Sequence, residues 1–161
     1  MKINKWNLNV NLLICLEKKV LEKLHFVLCS ITDEKILQKT FKNVDYVIHT
    51  AALKHIDLCE DNIDETINTN IIGIKNLVEQ AINNNVNGFV FVSTDKSCEP
   101  SSVYGASKLI GEKLVLNANK LNSTKFSVIR CGNISGSHGS IIPFFKKLIK
   151  KGEKVIPITD E

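Results

Sequence analysis

The chain has 161 residues, 43% of them hydrophobic and 24% charged, with a formal net charge of +4. That length fits one domain with a sizeable core, and the composition is ordinary for a soluble globular protein. So modest a charge excludes a strongly basic nucleic-acid binder. No apolar stretch reaches the ~18–20 residues that span a bilayer, so neither nucleic acid nor membrane is an expected partner.

Arg130 is the single arginine, which rules out a phosphate clamp built from several guanidinium groups. The five cysteines, at positions 15, 29, 59, 98 and 131, are odd in number and show neither CxxC nor Cys/His metal spacing. They read as reduced thiols of a cytoplasmic protein with no bound metal, and Cys15 and Cys29 sit in apolar runs that look like core. Residues 1–11 lack the apolar run and small-residue cleavage site of a signal peptide.

In chain order, Asn11 to Leu16 predicts a strand, Glu17 to Leu24 a short helix, and His25 to Cys29 a second strand. Asp33 is placed to cap a helix running to about Lys42. Val44 to His49, rich in β-branched and aromatic residues, predicts a strand whose last residue, His49, reads as a core histidine. Ile67, Ile71, Ile74, Leu77, Val78, Ala81 and Ile82 form one apolar stripe of a helix from about Ile63 to Asn83. Phe89 to Val92 is the next strand, and Tyr104 to Leu121 a helix offering Leu109, Ile110, Leu114 and Leu116 to the core. Phe126 to Arg130 predicts a strand, and Ile141 to Lys150 a last helix whose lysine pairs read as a solvated end.

Regular strand–helix alternation predicts an α/β fold, a parallel sheet covered by helices on both faces. Such sheets bind ligands beyond the carboxyl ends of their strands. Three polar clusters fall there: Thr50 to His55, Ser93 to Lys96, and Cys131 to Ser137.

Within the second cluster, Ser93-Thr94-Asp95-Lys96 ends an apolar strand, and Tyr104 and Lys108 open the following helix. Residues four apart share a helix face, and a lysine near a phenol favours phenolate, lowering a pKa of about 10. Tyr104 then becomes a base for a sugar hydroxyl while hydride leaves the same carbon. Asp95 and Lys96 add an acid and a base, more than an oxidoreductase needs, and suggest elimination as well. Plainer readings stay open: Asp95 as a turn cap, Lys96 as a solvated lysine, and Lys54 and His55 as surface residues.

No glycine precedes Gly73. The glycine-rich turn that holds a pyrophosphate in a dinucleotide-binding domain is therefore expected to be missing, together with the central first strand. The chain is also expected to stop at Glu161 without a closing element.

Six segments in order resemble the extended short-chain dehydrogenase/reductase superfamily. They are Val44 to His55, Thr69-Asn-Ile-Ile-Gly73, Ser93 to Lys96, Tyr104-Gly-Ala-Ser-Lys108, Arg130-Cys-Gly-Asn133 and Gly136 to Phe145. Within that superfamily they are most similar to the inverting UDP-N-acetylglucosamine 4,6-dehydratases of polysaccharide biosynthesis. Tyr104 favours the soluble inverting branch, since membrane-anchored relatives often carry methionine there. The resemblance runs from about residue 25 to 161, with 1–24 divergent. It implies a truncated, Rossmann-like, doubly wound parallel sheet: a partial NAD(P)-binding domain without its carboxyl-terminal substrate region.

The resemblance also implies roles. Tyr104, aided by Lys108, takes the C4 hydroxyl proton as hydride passes to NADP, with NAD left open. Lys96 removes the C5 proton, Asp95 helps the C6 hydroxyl leave, and Thr94 bonds near the C4 oxygen. Thr50, Ala51, Ala52 and Ser93 line the cofactor, Lys54 lies by cofactor and substrate, and Asn133 contacts the sugar nucleotide. Asn70 orders the active-site backbone, and Ser30 and Ile31 stand at the adenine end of the cofactor site. The family usually has Gly-Asp where Cys29-Ser30 stand, tyrosine at Cys131 and arginine at His138.

Two functions follow. The first is NADP-dependent 4,6-dehydration of UDP-N-acetylglucosamine with C5 inversion, for surface or flagellar glycans, by a protein that forms a homo-oligomer. The second is a non-catalytic split-gene remnant, or an interaction half completed by a partner chain bearing the glycine-rich loop.

Overall fold

The computed structural model describes residues 25–120, 123–134, 141–153 and 155. The elements expected over 11–16 and 17–24, Cys15, residues 136–140 with His138, and 156–161 lie outside them. The first described helix, α1 (Glu34–Thr40), starts where expected, with the Asp33 carboxylate accepting a hydrogen bond from Ile36 N at 3.1 Å. Next come β1 (Tyr46–His49), α2 (Ile56–Asp61), α3 (Ile63–Ile67), a π turn (Asn68–Ile72) and α4 (Gly73–Asn83). They are followed by β2 (Gly88–Thr94), a 3-10 turn (Asp95–Ser97), α5 (Val103–Ala118), β3 (Lys125–Cys131) and α6 (Ile141–Lys150).

The strands form one parallel sheet in the order β1-β2-β3, with His49 opposite Phe91 and Thr94 opposite Cys131. Parallel neighbours need crossovers. Helices α2 to α4 carry the chain from β1 to β2, and α5 carries it from β2 to β3. Every strand among the described residues therefore ends on the same rim. Phe89 and Phe91 of β2 form the centre of the core, packed by Ile74, Leu77, Val78 and Ala81 of α4, by Val115 and Ala118 of α5, and by Leu37 and Phe41. Among the described residues no helix is long and apolar enough to cross a membrane.

Three expectations are corrected. Residues 25–29 form no strand, and Leu28 is 96% exposed. A strand needs a hydrogen-bonding neighbour, and none lies beside them among the described residues. The helix expected over 63–83 is not regular, because its middle widens into the π turn. One extra residue in a turn advances the face by roughly 100°, so Asn70 is buried while Ile67 faces solvent. In α5 the expected core residues Ile110 and Leu116 are exposed, and the buried row is Lys108, Gly111, Glu112, Val115 and Ala118.

Candidate active site

An open cleft of about 350 Å³ lies beyond the carboxyl ends of the three strands. Thr50, Ala52, Lys54 and His55 enter it from the loop after β1, and Ser93, Thr94 and Lys96 from the end of β2. Cys131, Gly132, Asn133 and Ile134 enter from β3 and the loop after it, and Tyr104 and Lys108 from α5. The three polar clusters of the sequence thus meet in one place, as the strand ends of a parallel sheet require.

The Ser102 hydroxyl caps α5 by accepting from Gly105 N at 3.1 Å, which places Tyr104 and Lys108 in its first two turns. Lys108 is buried. Its ammonium donates to Val92 O at 2.8 Å and lies 4.1 Å above the Phe91 ring. Burial lowers its pKa to about 8, with Glu112 opposing. The Tyr104 phenol is half-buried, and burial raises it above its ordinary value, opposed by a hydrogen bond with Thr94. This corrects the expectation that Lys108 lowers the phenol: the ammonium is committed to Val92 O, and desolvation of the ring prevails.

The 3-10 turn presents Thr94, Asp95 and Lys96 side by side. Asp95 Oδ1 lies 2.9 Å from Thr94 Oγ1, which donates to it, and 3.1 Å from Lys96 Nζ. The Thr94 hydroxyl, then Lys96, holds the Asp95 carboxyl below the usual carboxylate range. Capping of the turn falls to Thr94, which accepts from Lys96 N at 3.3 Å, so Asp95 is not spent as a cap.

Other predicted residues stand behind the cleft. Asn70 is buried. Its Oδ1 accepts from Leu53 N at 2.9 Å, and its Nδ2 donates to Leu53 O at 2.9 Å and to Ser107 Oγ at 3.0 Å. It therefore ties the loop that carries Lys54 to the helix that carries Tyr104. Ala51 and Asp95 belong to the rim segments without lining the cleft. Ser30 and Ile31 lie outside it: Ser30 Oγ pairs with Thr32 Oγ1 at 2.7 Å, and Ile31 packs against Gly73.

Two residues carry more than their sequence setting suggested. Glu112, unnoticed in an apolar helix, accepts from Ser93, Ser97 and Arg130. Its one sequence signal is its place four residues after Lys108, opposite the single arginine of the chain. His49 is buried against Phe91, with ring centroids 5.4 Å apart, and its Nε2 has no hydrogen-bond partner. Burial, with Lys108 adding to it, lowers its pKa to about 4. Among the described residues no group of three His, Cys, Asp or Glu side chains is arranged to hold a metal ion.

The family of polysaccharide biosynthesis proteins matches residues 3–161. The inverting UDP-N-acetylglucosamine 4,6-dehydratase of Campylobacter jejuni subsp. jejuni serotype O:23/36 (strain 81-176) is 44% identical over 140 residues, covering 85% of this chain and 42% of that protein. Among solved structures, Pen from Bacillus thuringiensis matches with a TM-score of 0.77 at 36% identity, over 81% of this chain and 42% of that one. A double mutant of the dTDP-glucose 4,6-dehydratase DesIV from Streptomyces venezuelae, with NAD and DAU bound, matches with a TM-score of 0.75 at 26% identity, over 80% and 45%. The sheet is Rossmann-like, and the chain spans less than half the length of each of these relatives.

Proposed function

Because the chain belongs to the polysaccharide biosynthesis protein family, we propose that its cleft performs the 4,6-dehydration of UDP-N-acetylglucosamine with inversion at C5. One observation carries this reading: an aspartate–lysine ion pair of 3.1 Å stands on the same rim as Tyr104 and Lys108. A simple oxidoreductase has work for the tyrosine and lysine alone. Elimination of water needs a second acid and a second base.

The residues present fit the nicotinamide end of a dinucleotide. A buried ammonium, with one of its three donors on Val92 O, and a half-buried phenol border the cleft. Lys108, Tyr104, Ser93, Thr50, Ala51, Ala52 and Lys54 would hold that end, Asn70 would order the backbone beneath it, and Ser30 and Ile31 would stand at the adenine end. NADP, when bound, supplies the hydride acceptor and donor.

Tyr104 accepts the C4 hydroxyl proton, and its hydrogen bond with Thr94 works against the cost of forming a half-buried phenolate. Thr94 steadies the C4 oxygen, while Lys54 and Asn133 bind the sugar nucleotide. Lys96 and Asp95 rest as an ion pair, the wrong protonation states for elimination. One proton shift from Lys96 to Asp95 creates an amine and a carboxylic acid together. The amine takes the C5 proton, the acid gives its proton to the departing C6 hydroxyl, and the pair returns to its ionic state as water leaves. The lowered Asp95 pKa makes the reactive form the minor one. Reprotonation on the opposite face inverts C5.

The test is a graft of this chain in place of the matched 140 residues of the Campylobacter dehydratase. With NADP and UDP-N-acetylglucosamine it is expected to release a 4-keto product lighter by one water, and to exchange the C5 proton in heavy water. Lys96→Ala should reduce turnover by about 10²–10⁴-fold, the usual contribution of a general base. A folded, NADP-binding graft that converts no sugar, or one indifferent to Lys96→Ala, overturns the assignment.

A further inference from the structure

We propose that Glu112 is the positioning residue of the Thr94–Asp95–Lys96 turn, acting with Arg130 as a clamp on the two serines that flank it. Its consequence for catalysis rests on the dehydratase reading above, whereas the clamp itself rests on geometry alone.

The Glu112 side chain is 4% exposed. Its Oε1 lies 2.5 Å from Ser93 Oγ, 2.6 Å from Ser97 Oγ and 3.0 Å from Arg130 Nε, each of which donates to it. Its Oε2 accepts from an Arg130 terminal nitrogen at 2.7 Å. A carboxylate has about four acceptor sites. These are spent on the residue immediately before Thr94, the residue immediately after Lys96, and the end of β3. The Ser97 hydroxyl also lies 2.7 Å from Thr94 O, so its one proton is shared between closing the turn and reaching the clamp.

Thr94 is fixed as the last residue of β2, opposite Cys131, but the two residues after it lie beyond the ladder. Asp95 and Lys96 are exposed, and their mutual contact is at the surface. Helix α5 meets the turn a second time at Gly105, where an added Cβ would collide with the backbone carbonyl of Lys96. One rigid helix thus carries Tyr104 and Lys108 for the C4 step and sets, through Glu112, where the C5–C6 pair stands relative to them. Buried charges are retained where they specify an arrangement as well as where they stabilise.

Electrostatics and positioning predict opposite signs for one observable, the titration of Asp95. Lys96 and the Tyr104 phenol face that carboxylate from the turn and from α5. Glu112→Gln deletes a nearby negative charge and leaves Arg130 without a counter-ion. Acting through space, both changes push the Asp95 pKa further down. Release of the turn frees Asp95 from Thr94 and Lys96 and brings its pKa back up.

The experiment is a carboxyl-carbon NMR titration of Asp95 in the whole chain, as wild type, Glu112→Gln, Ser97→Ala and the double variant. The expected result is an upward shift in each single variant, with the double variant no higher than the larger single shift. Ser97→Ala leaves the Glu112–Arg130 ion pair in place and supplies the answer where Glu112→Gln does not fold. A downward or absent shift overturns the proposal. The readout needs no turnover, so a protein inert toward UDP-N-acetylglucosamine still reports the clamp, and a failed clamp leaves the dehydratase reading standing.

Discussion

Burial of His49 makes the sheet sensitive to mild acid. Its ring is buried on Phe91 beside the Lys108 ammonium, so protonation would place a second positive charge in the core. The unfolded imidazole titrates near 6.5 and the folded one near 4. Between those values the unfolded chain holds the extra proton, so stability is complete above the upper value and falls as pH falls. The whole loss is roughly 3 kcal/mol. Urea midpoints at neutral and mildly acid pH should therefore differ for the wild type and converge for His49→Leu. The Glu112 carboxyl, lowered to about 2 by its partners against its burial, adds its own loss only below 4.5, so the two windows are largely separate. The core placement of His49 was legible from its apolar strand. The unpaired Nε2 was not, because it depends on what α4 and α5 fail to bring near it.

Helix α5 shows how far periodicity reaches. Its start was readable from Tyr104 and Lys108 at a one-turn spacing, and the Ser102 cap agrees with that start. Its buried face was not, since apolar side chains alone would have turned Leu109, Ile110, Leu114 and Leu116 inward. The helix instead buries Lys108 and Glu112, because β2 and β3 offer Val92 O, Ser93 and Arg130 as partners that offset part of the cost of desolvating them. Gly105 permits the close approach of this helix to the 3-10 turn. Gly105→Ala forces helix and turn apart, against a backbone carbonyl that cannot rotate away. A loss of about 1–3 kcal/mol is expected by urea unfolding, as for other overpacked sites. An unchanged midpoint would mean that the turn yields freely, and that α5 does not hold it.

Across the molecule, Asn70 joins segments that are distant in sequence, bonding Leu53 and Ser107 from within the π turn. Asn70→Ala leaves the half-buried Leu53 amide unpaired and its carbonyl with the Cys59 thiol as donor, at about 1–3 kcal/mol for the unsatisfied amide. Reduced stability by calorimetry and faster amide exchange at Leu53 are expected. A variant with wild-type exchange there would show that another group holds the loop. By itself, the sequence determined the α/β alternation, the parallel sheet and the three polar strand ends, together with the Ser-Thr-Asp-Lys and Tyr-x-x-x-Lys segments. These are local patterns of period, chain direction and residue type, and they survive without knowledge of neighbours. Only the tertiary structure decided that residues 25–29 form no strand and that a π turn faces Asn70 inward. It also decided that Lys108 points to Val92 O, and that Glu112 accepts from Ser93 and Ser97 on either side of the Thr94–Asp95–Lys96 segment. Each of these is a question of which polar group finds a partner once water is removed, and the partner always comes from another element of the fold.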